Sequence, residues 1–268
     1  MTERLTRRAL LAAAGAVAWP VRAQQRVFAL GLLTQADDER YEAATLLKGH
    51  PDAPGGRSAA AAQMALNDST IGLQMAGWTS AQVVPAEAAT ASGLPAALQQ
   101  LLQQGVRHVV LELPAAGVAA ASAAAAGKDV ILFNAAAPED QLRAAQCAPH
   151  LLHTLPSHAM QMDAIAQLLV ARKWTRPLVL VGPTAGDALL LAAWQRAAKR
   201  FGVRPVAQKP FRLSADPRDR ELANIRLLTS ERDYDAVVVL DADGEFAREV
   251  PFRTVLPRPV LGSNGLVA

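Results

Sequence analysis

Leu178-Val179-Leu180-Val181-Gly182-Pro183-Thr184-Ala185-Gly186-Asp187 passes from four consecutive apolar residues, through a Gly-Pro turn, to a threonine placed to start a helix. An apolar run with no polar alternation is a strand covered on both faces. The next stretch keeps helical spacing from Asp187 to Phe201, where Gly202 stops it. A buried strand feeding a long helix is the unit from which parallel α/β sheets are built. Its turn brings backbone N–H groups to the carboxyl edge of the sheet, where a ligand can meet them.

The same unit repeats in both directions along the chain. Upstream, strands are predicted at Val27 to Leu33, Ile71 to Gly77, His108 to Leu113 and Val130 to Asn134. Between them, helices are predicted from Ser58 to Asn67, Leu94 to Gln104 and Val118 to Ala126, with Gly105 and Gly127 as stops. A proline-bearing stretch, Cys147 to Pro156, separates this round from a second. There Ser157 can cap a helix reaching Ala171. Downstream of the opening stretch come a strand at Val203 to Lys209, a helix from Asp216 or Pro217 to Thr229, and a strand at Ala236 to Leu240. The fold class expected is α/β: two Rossmann-like lobes with parallel sheets, with lobe 1 over 24–150, lobe 2 over 151–256, and 257–268 crossing back toward lobe 1.

The first 23 residues are of a different kind. Met1 to Arg8 is basic, Ala9 to Trp19 is apolar, and Pro20-Val21-Arg22-Ala23 is a small-residue exit, the three parts of a signal peptide with cleavage after Ala23. Arg7-Arg8 before Ala9-Leu10-Leu11 is similar to the twin-arginine export signal, with an ordinary basic leader as the other reading. The apolar run is shorter than the roughly 20 residues that span a bilayer, so no retained membrane anchor is expected. The leader sets Arg4, Arg7, Arg8 and Arg22 against Glu3 alone, and these four account for the excess of 27 basic over 24 acidic residues. The remaining chain is formally neutral and has no stripe of basic and aromatic residues, which argues against a nucleic-acid partner. Cys147 is the single cysteine, so stability must come from packing rather than an internal disulfide; a hydrophobic content of 51% is enough for that.

Catalytic patterns are thin. Gly182-Pro183-Thr184-Ala185-Gly186 has the outline of a nucleophile elbow, but threonine stands where serine is usual. All five histidines, His50, His108, His150, His153 and His158, precede Thr184, the reverse of the order that such hydrolases need. Cys147, His150, His153 and His158 have a metal-like spacing, yet Pro149 and Pro156 break the helix that would align them. Asp241, Asp243 and Glu245 read as a polar turn that caps the following helix rather than a calcium loop. No glycine-rich phosphate loop is present. No catalytic residue, metal or cofactor is assigned.

More specific is Leu152-His153-Thr154-Leu155-Pro156-Ser157, leading into a helix at the lobe crossover. With the export signal and two α/β lobes, it resembles the type I periplasmic binding proteins of the branched-chain amino acid ABC transporter class. Phe133-Asn134, Ala137-Pro138-Glu139-Asp140, Leu142-Arg143, Cys147, Ala215-Asp216-Pro217-Arg218 and Asp243-Gly244-Glu245-Phe246-Ala247 resemble, more narrowly, the substrate-binding component associated with pyrroloquinoline-quinone-dependent alcohol oxidation. The resemblance implies a periplasmic, non-enzymatic protein whose interlobe cleft closes on a small organic solute and presents the closed form to an ABC permease. It also implies a chain cut short at its C-terminus, since members of the class finish with further elements.

Pocket residues in such a fold lie at the carboxyl ends of strands. That nominates Pro114, Ala115, Asn134, Ala135 and Ala136 in the first lobe, and Thr184, Asp187 and Asp241 in the second. Where amino-acid binders of the class present hydroxyls, this chain offers Pro114-Ala115-Ala116 and Ala135-Ala136-Ala137. An apolar lining and a less polar solute, such as an alcohol-derived compound, are therefore expected. Two other functions fit the same fold: a ligand sensor for a membrane receptor, and an exported hydrolase using Thr184 or Asp241.

Overall fold

A computed structural model describes residues 26–41, 57–231 and 233–263. The expected signal peptide lies outside the described residues. The first round of elements is β1 (Val27–Gln35), α1 (Ala59–Asp68), α2 (Thr70–Met75), β2 (Ser80–Ala88), α3 (Leu94–Gln103), β3 (His108–Glu112), α4 (Ala115–Ala125), β4 (Ile131–Asn134) and β5 (Leu151–His153). Its five strands are all parallel, in the order β2-β1-β3-β4-β5. Leu33, Val109, Leu111, Leu132 and Leu151 pack with Leu98, Leu101, Val118 and Ala121 from α3 and α4 to form the core of this lobe.

The second round is α5 (His158–Ala171), β6 (Leu178–Val181), α6 (Ala185–Phe201), β7 (Ala207–Pro210), α7 (Arg220–Ala223), α8 (Ile225–Leu228), β8 (Val237–Leu240), α9 (Glu245–Arg253) and β9 (Val260–Gly262). The sheet order is β7-β6-β8-β9, again all parallel. Every residue of β6 and β8 is buried, as their unbroken apolar sequences require. One face packs on α5 and α6 through Met162, Leu169, Leu190 and Trp194. The other packs on α8 and α9 through Ile225, Leu228, Phe246 and Val250, with Phe211 stacked on Phe246 at 4.0 Å.

Helix α6 follows its sequence closely. Thr184 and Asp187 form a reciprocal capping box, Gly202 ends the helix with φ 73°, and Lys199 and Arg200 sit in the last turn against the negative end of the helix dipole.

Several expectations are corrected. Ile71 to Gly77, expected as a strand, is mostly helix α2, and the strand paired with β1 is Ser80–Ala88. Pro85 hides that strand from a sequence reading, yet β2 is the edge of its sheet, where a missing N–H is tolerated. The first sheet runs past residue 150, because Leu151–His153 pairs with β4. Residues 260–262, expected in a crossover toward lobe 1, pair with β8 in the second sheet. The helix expected from Asp216 to Thr229 is a 3-10 turn followed by two one-turn helices. Asn224 leaves helical geometry at φ −91° and ψ 106° and caps the second of these by accepting from the Arg226 and Leu227 N–H groups.

The lobes are joined by polar stitching around the crossover. Asp140, in the loop after β4, accepts from the Ala159 N–H at 2.8 Å and from Arg196 of α6 at 2.5 Å. The His158 N–H donates to the Pro138 carbonyl, and Arg143 donates to the Leu155 carbonyl.

Candidate functional site

In each sheet the strand order reverses beside its first strand, between β1 and β3 and between β6 and β8. The crevice outside the carboxyl ends of strands at such a point is where open α/β sheets bind ligands. The residues nominated from sequence all lie at these ends or at the neighbouring end of β4, but they play different parts.

In the first lobe, Pro114 caps α4 without any side-chain hydrogen bond, and Ala115 behind it is buried. The first turn of α4 therefore begins with backbone N–H groups that no capping side chain satisfies. Gln35, at the end of β1, is 7% exposed, and its Oε1 is buried without a partner. A Cβ on Gly117 in that first helical turn would come within 3.3 Å of the same Oε1. Asn134 is fully buried and braces its own loop: Oδ1 accepts from the Ala136 and Ala137 N–H groups, while Nδ2 donates to the Ala137 carbonyl and to His153 Nδ1 at 3.0 Å. It holds the loop rather than presenting a side chain. Ala135 is exposed and Ala136 is half-buried at the rim.

The sequence reading missed a polar corner beside them. Asp38 receives Nε and Nη2 of Arg40, and Arg40 Nη1 reaches the Ala136 carbonyl at 3.0 Å, tying the β1 loop to the β4 loop. Burial alone would raise the Asp38 carboxyl, but the hydrogen bonds and charge of Arg40, with Arg57 adding, bring it below its usual value. Glu112, 3% exposed at the end of β3, accepts from Ser58 N at 3.1 Å and Ser58 Oγ at 2.8 Å, and so anchors the start of α1. Tyr41 is pushed up to about 12 by burial and by its hydrogen bond to Glu112, so its hydroxyl stays neutral. Arg57 lies over the Tyr41 ring at 4.3 Å and donates to the Gln35 carbonyl, with its Nη1 buried and unpartnered. The expected apolar lining is thus corrected: alanines form the rim of the β4 loop, but charged groups stand at the first switch point. A charge at the end of the apolar run His108-Val109-Val110-Leu111-Glu112 was the one signal in the sequence.

In the second lobe the nominated carboxylates face inward. Asp187 is 1% exposed; Oδ2 accepts from Thr184 N at 2.8 Å and Thr184 Oγ1 at 2.7 Å, and Oδ1 accepts from Ala242 N at 2.7 Å. Asp241, 6% exposed, accepts from Ala247 N at 2.9 Å, as a cap on α9 does. Burial raises its carboxyl above the ordinary range, while the backbone donors Ala247 and Gly244 partly oppose the shift and the Asp187 and Asp243 charges add to it. These residues frame the two turns, β6 to α6 and β8 to α9; Thr184 itself is exposed at the edge.

Gly182 shows how tight this frame is. A Cβ there would meet Asp187 Oδ2 and lie 2.7 Å from its Cγ. Gly182→Ala is expected to cost about 2 kcal/mol in a denaturant titration, because the carboxylate has no space to retreat into.

The histidine-rich crossover is spent on structure. His150 Nε2 meets the Ser122 carbonyl at 2.9 Å, and His153 meets Asn134. Among the described residues no group of three His, Cys, Asp or Glu converges to hold a metal ion. Burial, then the Arg143 charge, lowers the His153 imidazole below its ordinary 6.5, with a Leu142 backbone hydrogen bond opposing. Below that ordinary value the unfolded chain takes up a proton that the folded chain resists. The contribution is therefore present above about pH 6.5 and lost as pH falls through the lowered folded value. Melting curves between about pH 7.5 and pH 5.5 should show this slope in the wild type and a weaker slope in His153→Gln.

Two doubly wound parallel sheets in one chain, with a switch point in each, define a bilobed α/β ligand-binding fold. The chain belongs to the periplasmic binding protein family, which residues 45–239 match. No curated protein sequence matches it. Among solved structures it is similar to a periplasmic binding protein from Burkholderia mallei, at 17% identity and TM-score 0.57 over 91% of this chain and 61% of that one. It is also similar to a leucine-, isoleucine-, valine-, threonine- and alanine-binding protein from Brucella ovis in a closed conformation, at 13% identity and TM-score 0.62, covering 89% of this chain and 60% of that one. A third is an ABC transporter solute-binding protein from Rhodopseudomonas palustris in complex with 3,4-dihydroxybenzoic acid, at 16% identity and TM-score 0.53, covering 88% and 61%. The chain spans about three fifths of the length of these relatives. At such identities the likeness is one of fold: the type I periplasmic binding fold, with its two parallel-sheet lobes.

Proposed function

We propose that the protein is the solute-binding component of an ABC importer. It works in the periplasm after removal of residues 1–23, and closes its lobes on a small organic solute for delivery to a membrane permease. The observation that carries this reading is the pair of strand-to-helix turns at the two switch points: an uncapped first turn of α4 beside the unpaired Gln35 Oε1 in one lobe, and the rigid Thr184–Asp187 turn in the other. Closure about the stitched crossover brings ligand contacts from both lobes into play together, which shifts the population to the closed state. Catalysis is disfavoured because Asp187 and Asp241 spend their carboxylates on backbone donors.

The solute we favour is a carboxylate or alcohol of the kind handled in alcohol oxidation, in line with the resemblance to the pyrroloquinoline-quinone-linked subfamily. A carboxylate would meet the α4 N–H groups, and the corner at Arg57 supplies a guanidinium with one unpaired nitrogen. The Rhodopseudomonas neighbour, with its bound dihydroxybenzoic acid, is an acid binder of the same fold; the Brucella neighbour is named for amino acids.

A thermal-shift screen against short and aromatic acids, alcohols, aldehydes and branched-chain amino acids tests this. A ligand at about 100 times its Kd adds about 2.7 kcal/mol. Ala135→Trp, which plugs the exposed rim of the first lobe, should abolish the shift while leaving the unliganded melt in place. Tight leucine binding would overturn the solute class. A hit that Ala135→Trp leaves intact would overturn the cleft as its site.

A further inference from the structure

Each lobe presents a firmly packed element at the crossover. In the first lobe, Asp140–Arg143 is a 3-10 turn pinned by Leu142, which is fully buried in that lobe's core. In the second, α6 is pinned by Trp194, Ala197 and Ala198, all buried in the core of that lobe. A polar contact between this turn and this helix therefore joins two packed bodies.

Asp140 makes that contact with both of its oxygens. Oδ1 accepts from the Ala159 N–H at 2.8 Å, and Oδ2 accepts from Arg196 Nη2 at 2.5 Å. The first bond lies one residue from the His158 N–H, which donates to the Pro138 carbonyl at 3.0 Å. These two bonds fall together at the start of α5 and act as a pin about which the lobes can still turn. The Arg196 bond comes from a different helix. Packed helix axes are about 8–10 Å apart, so a rotation of about 15° about the pin moves Arg196 by about 2 Å and takes its bond past the limit of a hydrogen bond. One bond permits a swivel, and the second opposes it.

Arg200, one turn further along α6, shows what is particular to Arg196. Its Nη1 donates to Asp163 Oδ2 at 2.7 Å, entirely within the second lobe. The two pairs are similarly open to water: Arg196 is 59% and Asp140 33% exposed, against 69% for Arg200 and 27% for Asp163. They differ in that only the Arg196 pair runs from one lobe to the other. A solute seated at the Thr184 rim does not reach it, because Arg196 lies twelve residues further along the chain, about 18 Å down the helix.

We propose that Asp140 and Arg196 are positioning residues for solute capture: a clasp that holds the lobes at one angle and releases when they move. The inference rests on the reading that the lobes turn about the crossover. An exposed ion pair biases an equilibrium by about twofold to fivefold. That is enough to weight one lobe angle over another and too little to prevent the movement. Affinity for a solute that selects a different angle then rises when the clasp is removed, although neither residue contacts the solute.

The test is the interlobe distance in solute-free protein purified after expression of the full chain. In a Cys147→Ser background, Gln103→Cys and Arg204→Cys put spin labels on exposed sites of the first and second lobes, for pulsed electron spin resonance. One distance should dominate at low salt. Arg196→Met and Asp140→Asn should each raise the share of a second distance by about twofold to fivefold, and the double variant should go no further than either. Sodium chloride at about 1 M should do the same to the unsubstituted pair by screening it. Arg200→Met breaks the pair inside the second lobe and should leave the distances unchanged, which separates a clasp from a general loosening of α6. Distances unmoved by Arg196→Met or by Asp140→Asn overturn the proposal, as does an equal change in Arg200→Met. The measurement needs no solute, so a failed clasp and a failed solute screen are told apart.

Discussion

Trp194→Ala should lower the stability of the protein by about 4 kcal/mol, the largest loss expected from any single truncation. Trp194 is 1% exposed on α6 and belongs to the cluster in which Met162, Ala166 and Leu169 of α5 meet Val179 and Val238 of the second sheet. Removing the indole takes away the transfer free energy of the largest buried side chain and leaves a void that two helices and a sheet cannot collapse to fill. For a chain of this size each kcal/mol moves Tm by about 2–4 °C, so a drop of about 12 °C is expected in thermal unfolding followed by circular dichroism. Trp194→Phe keeps most of the volume and should recover well over half of the loss. Equal effects of the two substitutions would mean that packing at this point is not what holds the lobe.

Asp187→Ala should cost about 3 kcal/mol and should also damage binding. Its carboxylate joins the β6-to-α6 turn to the β8-to-α9 turn, through Thr184 N, Thr184 Oγ1 and Ala242 N. Without it, donors near the protein interior are left unpaired, each at about 1–3 kcal/mol, and the charge-assisted bonds that compensated them are gone. Asp187→Asn should rescue little, because one end of an amide is itself a donor and would point at N–H or O–H groups. Calorimetry with any ligand found in the solute screen, at a temperature where the variant is still folded, should give affinity at least tenfold weaker, since both turns of the second-lobe rim lose their common anchor. Wild-type affinity in a folded Asp187→Ala protein would separate the rim of lobe 2 from the binding site.

The α6 unit was legible because its determinants are local. Four apolar residues, a capping threonine, an aspartate three positions later and a terminal glycine act within one strand and one helix. Ile71 to Gly77 was misread for the complementary reason. Ile71, Leu73 and Met75 alternate with polar or small residues as a strand would, but the helix begun at Ala59 continues through them, and the strand opposite β1 contains a proline. Only the sheet order, which puts that strand at an edge, makes Pro85 acceptable.

The candidate site divides in the same way. The carboxyl ends of the strands could be located from the strand-and-helix pattern, and the nominated residues do sit there. What each side chain does could not be read, because its partners are distant in sequence: Glu112 with Ser58, Asn134 with His153, Asp187 with Ala242. Three nominated polar residues turned out to brace turns, and the charged corner of Asp38, Arg40, Tyr41 and Arg57 was missed because no spacing rule connects residues of one loop to the end of β3.

By itself, then, the sequence determined that this chain builds parallel α/β lobes and where a helix such as α6 starts and stops. Apolar runs, caps and glycine stops act over a few residues and need no knowledge of the rest. Only the tertiary structure decided which carboxylates are spent on backbone and which polar groups stay unpaired beside α4. Those outcomes depend on contacts between segments tens of residues apart, and burial decides whether a polar or apolar group there is satisfied or exposed.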